Sequence, residues 1–472
     1  MYLHISLACI PSLREGYVSD AVKEFVARAR GVSLGAVADR LEIPQPPKGK
    51  PDYEGPCPRC GGTDRFAVNR GKSKWLCRGC GTGGRDAIGL AAHVLHLDMR
   101  TRSGFLEACA AVLDEDVPAG GERETDEERA ARKKRIAEAE DRAARNRKAQ
   151  EEQGNIFREK EIQKARGFWF YAVDCRKSGD DARRGRIQVR DYLRARTGYT
   201  VPDAIFANLR VRLACGYYFG EDDLGRPCEI YSGPAIIAPI VDPADQVIGC
   251  HMTWTDLGNR KGKSRPVLWG LTKEGVKAGK PPLHEGGRLR PPSTADIEAG
   301  FYARLKTKKM RGRKTGGLIP LLGEPEAARW LGGEGYENVL AIAGTEGFRK
   351  DTFYFSAGDL GNLAGPADPD SAFLHPTLKK QAANGQWRRI RIAGPVPRKD
   401  LKPDEALQVP GHVRELLMVA DGDSEPVWTA SAMARAQARL SRPDLDITSL
   451  WPPEGQDFSG AISAAIAGDD SE

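Results

Sequence analysis

Residues 57–80 read CPRCGGTDRFAVNRGKSKWLCRGC, and this stretch decides how the first part of the chain folds. It holds two Cys-x-x-Cys pairs separated by sixteen residues, and two such pairs supply four thiolates to one tetrahedral ion. A closed shell of four sulfurs leaves no open coordination position, so the metal is expected to be structural. We therefore predict one zinc ion bound by Cys57, Cys60, Cys77 and Cys80.

Aromatic and basic residues lie between the two cysteine pairs. Flat rings interleaved with cations can stack on bases and pair with phosphates. We predict that four of these residues contact nucleic acid: Arg65, Phe66, Lys74 and Trp75. The alternative for the two rings is that they cover the small core of the ribbon. His93 and His96 follow in a helical segment, where packing or solvent contact is expected rather than zinc ligation.

Length and composition limit the classes to which the protein can belong. A chain of 472 residues predicts two or three folded units. It contains no run near the roughly twenty apolar residues of a membrane helix, so we expect no membrane partner. Only four of its ten cysteines fall in paired spacing, which favours a metal site in a reducing, cytoplasmic compartment. The net charge of +7 fits an anionic partner, although an ordinary surface of mixed charge looks the same.

A charged segment separates the first part of the chain from the rest. From residue 125 to about residue 164, large apolar side chains are almost absent and charges of both signs alternate. We interpret this segment as a solvated helical linker, in preference to an arm that binds nucleic acid.

Three acidic motifs lie in the last third of the chain, where strand-like and helical segments alternate as in an α/β domain with a parallel sheet. Glu334 lies in a Gly-Gly-Glu-Gly run, Asp421 and Asp423 follow an apolar run, and Asp457 follows another. Residues at i and i+2 of an extended segment point the same way, so Asp421 and Asp423 can share a hard cation. Ligands of α/β sheets collect at the carboxyl ends of the strands, where we expect these acids.

Three parts of the sequence resemble a known family, and the first two are the cysteine-rich segment and the acidic motifs. The runs CPRCGGTDRF and WLCRGCGTGGRDAIGLAAHV resemble the zinc ribbon of phage and plasmid primases, related to the template-reading zinc domain of DnaG-type primases. The order of the acidic motifs resembles the Toprim domain that primases, topoisomerases and some nucleases share. On that resemblance Glu334, Asp421 and Asp423 are catalytic acids that bind magnesium or manganese, and Asp457 is a further metal-binding acid.

The segment 234–254 is similar to the part of the primase core that precedes the Toprim domain. In primases it helps to hold template and nucleotide, which implies such a contact for His251, although a lone histidine is more often structural. A basic cluster then precedes the acidic region, and we predict that it contacts phosphates, with a solvated basic loop as the alternative. The cluster also includes Lys306, and the cations predicted as binding residues are Lys308, Lys309, Arg311, Arg313 and Lys314.

The resemblance implies a multidomain α/β architecture in four segments. They are N-terminal helices with the zinc ribbon (1–118), a long charged helical linker (119–166), the N-terminal subdomain of a primase core (167–320) and a Toprim catalytic domain with a parallel sheet (321–472).

The implied function is that of a DNA primase, which joins ribonucleoside triphosphates into short RNA primers on single-stranded DNA during phage or plasmid replication. Neither Gly-Lys-Ser run carries the earlier glycine of a Walker loop, so a replicative helicase is expected to be a separate partner. Two alternatives stay open. One is a Toprim nuclease that cuts strands with the same acids, and the other is a non-catalytic, zinc-containing DNA-binding protein with an accessory role in replication.

Overall fold

The structure is a computed structural model that describes residues 20–46, 51–118, 126–221, 226–260, 263–281, 283–285, 288–289, 291–381, 387–422, 424–453 and 455–469. The chain divides into two compact units, Met1–Asn155 with Pro376–Ile390 and Ile156–His375 with Arg391–Glu472. Helices and strands are mixed along the chain, which confirms the predicted multidomain α/β class. The boundaries of the four expected segments stay predictions.

The first unit contains a four-stranded ribbon among short helices. In chain order its elements are α1 (Asp20–Gly31), α2 (Leu34–Arg40), β1 (Tyr53–Cys57), β2 (Gly61–Asn69), β3 (Lys74–Cys77), β4 (Thr82–Gly84), α3 (Ala87–Val94) and α4 (Arg102–Leu113). Strands β1 to β4 pair antiparallel in that order. Phe25, Val68 and Leu90 belong to one buried core, so the helices and the ribbon fold as one body.

A single helix of 45 residues, α5 (Asp126–Phe170), covers the charged segment that was expected to be helical. Its last turns are apolar on one side, where Ile162 and Ala165 are buried and Phe168 packs against the same core as Ala165. Its role as a linker stays a prediction. None of the described helices is both long and apolar enough to span a membrane.

The first half of the second unit is built on an antiparallel sheet. Its elements are α6 (Asp180–Thr197), β5 (Arg210–Glu221), β6 (Pro227–Val241), β7 (Val247–Trp254), β8 (Trp269–Leu271), α7 (Lys273–Lys277), β9 (His284–Glu285), β10 (Arg288–Leu289), α8 (Thr294–Glu298), β11 (Tyr302–Arg304) and β12 (Lys308–Gly312). The main sheet has the order β12-β7-β6-β5. Ile236, Ala238 and Ile248 of this sheet share a core with Leu331 and Val339 of the following half.

The second half of this unit holds the predicted parallel sheet. Its elements are β13 (Ile319–Leu322), β14 (Arg329–Gly333), α9 (Tyr336–Thr345), β15 (Thr352–Ser356), α10 (Leu360–Ala364), β18 (Glu415–Val419), α11 (Pro426–Leu440), β19 (Asp446–Leu450) and α12 (Phe458–Asp469). The sheet order is β13-β15-β14-β18-β19, with β13 antiparallel and the other four strands parallel. β16 (Phe373–Gln381) and β17 (Trp387–Ile392) form a separate hairpin, whose residues Pro376–Ile390 belong to the first unit.

Two glycines end the buried strand β14. A β-carbon at Gly332 would lie 2.2 Å from the Phe355 ring, and one at Gly333 would lie 2.8 Å from Val419 Cβ. The strand is buried along its whole length, so its neighbours fill the space that side chains would otherwise take. Close packing of β15 and β18 therefore explains why this strand is poor in β-branched residues.

We expect Gly332→Ala to destabilise the parallel sheet by about 1–3 kcal/mol, because the new methyl group must displace Phe355 from a packed core. Urea denaturation and amide hydrogen exchange of peptides from β14 and β15 measure the loss. Gly411→Ala is the matched control, since no atom lies within 4 Å of its β-carbon position. Equal stability of the two variants would contradict the packing argument.

Candidate functional site

The two cysteine pairs lie in tight turns beyond strands β1 and β3. The backbone N–H of Cys60 points at Cys57 Sγ at 3.4 Å, and that of Cys80 points at Cys77 Sγ at 3.2 Å. The glycine that follows each pair has a φ of 64° or 66°, a left-handed conformation that glycine adopts without strain. Both turns therefore wrap the backbone around the sulfur atoms.

Four side chains of this region are close enough together to share one metal ion. The ligand atoms of Cys57, Cys77, Cys80 and His93 all lie within 4.8 Å of one another. Cys57 Sγ lies 3.9 Å from Cys80 Sγ and 3.3 Å from His93 Nε2. Zinc–sulfur bonds of about 2.3 Å place tetrahedral sulfur ligands roughly 3.8 Å apart, so this donor set fits zinc. Cys60 Sγ lies beside the group, 3.5 Å from Cys77 Sγ.

The structure corrects the expectation that His93 packs or contacts solvent rather than binding zinc. Its ring is buried against Phe66 and Trp75, with centroid distances of 5.7 and 4.9 Å, as a packing role requires. Its Nε2 nevertheless faces sulfur, while Nδ1 lies 3.3 Å from Thr82 Oγ1, a contact of the kind that orients ligating histidines. Burial lowers the pKa of His93 to about 4, so the imidazole is neutral, as ligation requires. His93 is thus a fifth candidate ligand for a four-coordinate ion.

Phe66 and Trp75 are core residues of the ribbon, with only 1% and 5% of their surfaces exposed. This corrects the prediction that they stack on bases, because a buried ring presents no face to a base. Arg65 is exposed and Lys74 is half-buried on the same ribbon. Their contact with nucleic acid stays a prediction.

Glu334 and Asp421 follow neighbouring parallel strands. Gly333, the last residue of β14, is in register with Val419, the last residue of β18. The carboxyl ends of parallel strands meet at one edge of a sheet, so the loops that carry Glu334 and Asp421 begin side by side. We call this the acidic edge. Asp423 lies outside the described residues.

Backbone contacts hold the loops of the acidic edge. The Glu334 carbonyl accepts hydrogen bonds from Ser356 Oγ at 2.6 Å and from Gly358 N–H at 3.1 Å, both at the end of β15. A β-carbon at Gly422 would lie 2.0 Å from the carbonyl oxygen of Gln456, so glycine is required where this loop meets the one after β19. The loops after all four parallel strands therefore converge.

Asp359, which was not singled out from the sequence, also lies at the acidic edge. It follows β15, accepts a hydrogen bond from Asn362 N–H at 2.7 Å as the cap of α10, and forms an ion pair with Lys314. Burial lowers the pKa of Lys314, and the charge of Glu334 opposes that shift. A lysine thus lies among the acids. The sequence signal for Asp359 was an acid at a helix start just after a strand.

Asp457 is held by a helix start and by two cations. Its Oδ1 accepts a hydrogen bond from Gly460 N–H at 2.6 Å, and its Oδ2 lies 3.2 Å from Lys263 Nζ and 3.6 Å from Arg196 Nη2. Burial raises the pKa of Asp457, but these three groups outweigh burial and the pKa is lowered. The contacts give Asp457 a capping role, and metal binding by it stays a prediction.

The predicted phosphate-binding cations lie on and just after strand β12, so this segment is not a solvated loop. Each cation contacts another part of the protein. The contacts are Lys308 with Glu337 (2.6 Å), Lys309 with the Tyr218 carbonyl (2.6 Å), Arg311 with Glu161 (3.7 Å), Arg313 with Asp404 (3.2 Å) and Lys314 with Asp359. A phosphate would compete with these contacts, and phosphate binding stays a prediction.

A buried carboxylate lies in the first turn of α9, three residues after Glu334. Glu337 accepts a hydrogen bond from Tyr192 OH at 2.8 Å and forms the ion pair with Lys308. Burial raises the pKa of Glu337, but the charges of Lys308 and Arg196 outweigh burial and lower it. Glu337 therefore stays ionised and links α6, α9 and β12 beside the acidic edge.

His251 lies half-buried on β7 in the same region. Its ring is 5.9 Å from that of Tyr336 and edge-on to it, and its Nδ1 lies 3.4 Å from Thr253 Oγ1. Burial, with a smaller contribution from Lys308, lowers the pKa of His251 to about 4. A neutral ring in this position can donate or accept one hydrogen bond, and its contact with template or nucleotide stays a prediction.

The geometry of the zinc group predicts that zinc binding depends more on Cys77 than on Cys60. We expect Cys77→Ser to lose zinc and unfold the ribbon, because metal binding and folding of such a ribbon are one equilibrium. We expect Cys60→Ser to retain one zinc ion per chain, because His93 can complete the shell. Elemental analysis after competition with a chelating dye measures both. Equal zinc loss in the two variants would contradict a role for His93.

The buried ion pair predicts a pH-dependent stability. We expect Glu337→Gln to destabilise the second unit by about 3 kcal/mol, because it leaves Lys308 without its charged partner. The folded pKa of Glu337 is lowered, so the stabilisation is present above the ordinary pKa of about 4.3 and is lost as the pH falls below it. Urea denaturation at pH 7 and pH 3.5 should therefore show a smaller difference between variant and parent at the lower pH. An equal difference at both pH values would contradict the stabilising role of the ionised Glu337 carboxylate.

The comparisons with known proteins concern mainly the ribbon. Residues 52–87 match the family model described as the zinc-binding domain of primase-helicase. No curated protein sequence matches the chain.

Two solved structures are similar to this chain. The zinc-binding and RNA polymerase domains of the Aquifex aeolicus primase show 15% identity and a TM-score of 0.28, over 96% of this chain and 84% of that one. A DNA primase domain from Pseudomonas aeruginosa shows 12% identity and a TM-score of 0.23, over 54% of this chain and 56% of that one. Both TM-scores lie below 0.5, so neither likeness defines the fold. The family match of residues 52–87 confirms the predicted primase-type zinc ribbon.

Proposed function

We propose that the protein is a DNA primase that makes short RNA primers on single-stranded DNA with a divalent metal ion. Two observations from different parts of the chain support the proposal. Residues 52–87 match the zinc-binding domain of primase-helicase, and the acidic edge brings together the loops that carry Glu334 and Asp421, two of the three acids that the Toprim resemblance marks as catalytic. Replication of a phage or plasmid is the proposed setting.

The observation that carries the proposal is the register of β14 with β18. It brings the loops of Glu334 and Asp421 together from distant parts of the chain at the edge where ligands of parallel sheets bind. Their carboxylate oxygens are donors of the type that magnesium and manganese prefer, so these two residues suit a divalent ion. The Toprim resemblance assigns Asp423 to the same ion. Such an ion, when bound, stabilises an attacking oxyanion and the charge on a leaving pyrophosphate.

Other groups of the site would act on substrate directly. Glu334 is suited to accept the proton of a primer 3′ hydroxyl, since a general base must lie within reach of the attacking oxygen. Lys314 and Lys308 lie on the segment that leads to this edge, where their ammonium groups can attract the triphosphate of an incoming nucleotide. The ribbon would contact the template through exposed cations such as Arg65.

The first experiment is primer synthesis by the zinc-loaded full chain on random single-stranded DNA with ribonucleotides and magnesium. New short RNA is the expected product. Loss of full-length DNA without new RNA would instead favour a strand-cutting enzyme with the same acids. If neither new RNA nor loss of full-length DNA is seen, the result would favour a non-catalytic DNA-binding protein.

We expect Glu334→Gln and Asp421→Asn each to lower primer synthesis on the order of 100-fold or more, because each removes a charge that holds the metal ion. Binding of single-stranded DNA should persist, since the ribbon is unchanged. Glu326→Gln is the matched control, because Glu326 is an exposed acid before the amino end of β14, away from the acidic edge. Full activity of Asp421→Asn would refute the proposed role of this edge.

A further inference from the structure

An insertion interrupts the parallel sheet between β15 and β18. The two strands are separated by residues 357–414, whereas a parallel crossover needs roughly a dozen residues. The insertion contains the hairpin of β16 and β17, which joins none of the five strands of the main sheet. The hairpin is therefore not needed to complete that sheet.

The composition of this hairpin is unusual for the chain. Residues 373–392 contain no acidic residue, although the whole chain has 65. The same twenty positions hold five cations, all of which are exposed: Lys379, Lys380, Arg388, Arg389 and Arg391. Such a charge density without local compensation favours a polyanionic partner.

Exposed apolar side chains accompany the cations. Trp387 exposes 64% of its surface, Leu374 57% and Phe373 37%, and Trp387 directly precedes two arginines. A flat ring beside guanidinium groups matches unstacked bases on a charged backbone, whereas a duplex hides the faces of its bases. The combination therefore fits a single strand better than double-stranded nucleic acid.

The root of the hairpin is fixed next to the acidic edge. His375 is buried, with its Nε2 2.8 Å from Glu425 Oε1. Glu425 caps α11 through Trp428 N–H at 2.8 Å and stands four residues after Asp421. A fixed root holds the first residues of β16 close to the loop that carries this acid.

The other strand leaves the hairpin through an equally restrained segment. Arg435 of α11 donates to the carbonyl of Gly394, just after β17. A β-carbon at Gly394 would lie 2.0 Å from the carbonyl oxygen of Ser371, so the backbone packs tightly there. His375 near the start of the hairpin and Gly394 just after it are therefore each held by contacts within the second unit.

We propose that the hairpin of β16 and β17 is a binding element for single-stranded nucleic acid. Arg388 and Arg389 contact phosphates, and Trp387 stacks on a base. The assignment of the bound strand as the primer template rests on the proposed function, whereas the binding itself does not.

The test is fluorescence anisotropy of a labelled twenty-nucleotide oligo-dT with the zinc-loaded full chain, titrated at several salt concentrations. We expect Arg388→Ala/Arg389→Ala to raise Kd about 10-fold and to reduce the slope of log K against log salt by about 1.4, which is two phosphate contacts on a single strand. Trp387→Ala should raise Kd about 5-fold or more with an unchanged slope, because stacking releases no counterions.

Matched variants separate this effect from loss of charge or of fold. Lys350→Ala/Lys399→Ala removes two exposed cations outside the hairpin and should bind like the parent. Arg388→Lys/Arg389→Lys keeps the charge and should recover most of the affinity. Thermal melts of all variants check that the fold is retained.

Three results would overturn the proposal. The first is an equal Kd for oligo-dT in the double arginine variant and in the Lys350→Ala/Lys399→Ala control. This result would place the binding site elsewhere, for example on the ribbon. The second is a preference of the parent for duplex DNA of the same length. The third is binding to phosphatidylserine vesicles that depends on these arginines while oligo-dT binding does not. A different result is a parent chain that makes no primers but still loses oligo-dT binding when both arginines are replaced. That result would support the hairpin as a binding element and count against the primase proposal.

Discussion

The parallel pairing of β14 with β18 is the constraint on which the acidic edge depends. Because Gly333 and Val419 are in register, the two strands end at the same level and their following loops start side by side. Carboxylates gathered in this way repel one another, and the Lys314 ammonium, which pairs with Asp359 and interacts with Glu334, offsets part of that repulsion. A divalent cation would add to the same compensation. The sheet thus concentrates negative charge at one edge, and a bound cation would reduce the repulsion between the carboxylates.

Packing around that edge overrides local strand preference. A buried parallel strand ordinarily favours β-branched residues, yet β14 ends in two glycines because Phe355 and Val419 occupy the space beside them. The same reasoning applies at Gly422, where the neighbouring loop leaves no room for a side chain. Glycine here does not mark a flexible segment. It marks the places where the backbones of the site approach one another.

Much of this arrangement could be predicted from the sequence, because hydrophobic periodicity and ligand spacing are local signals. The cysteine pairs predicted the ribbon, and the apolar runs before Glu334 and Asp421 predicted the strands that carry them. His93 could not be predicted as a candidate ligand, because a histidine in an apolar helix has the same pattern whether it faces a core or a sulfur atom. The burial of Trp75 could not be predicted either, because an aromatic residue in a basic ribbon can pack in a core or stack on a base. Those distinctions depend on tertiary contacts.

The two basic segments of the second half of the chain show why a count of cations says little about binding. The segment from Lys308 to Lys314 holds five of the cations discussed above, and four of these pair with acids that come from distant positions. Residues 373–392 also hold five cations, but no acid lies between Asp370 and Asp400 in the sequence. Neither segment contains an acid in its own sequence, and ion pairs with acids from elsewhere reduce the field of the first segment. Equal numbers of positive charges therefore do not imply equal fields, because the acids that the fold brings to the first segment are not visible in its own sequence.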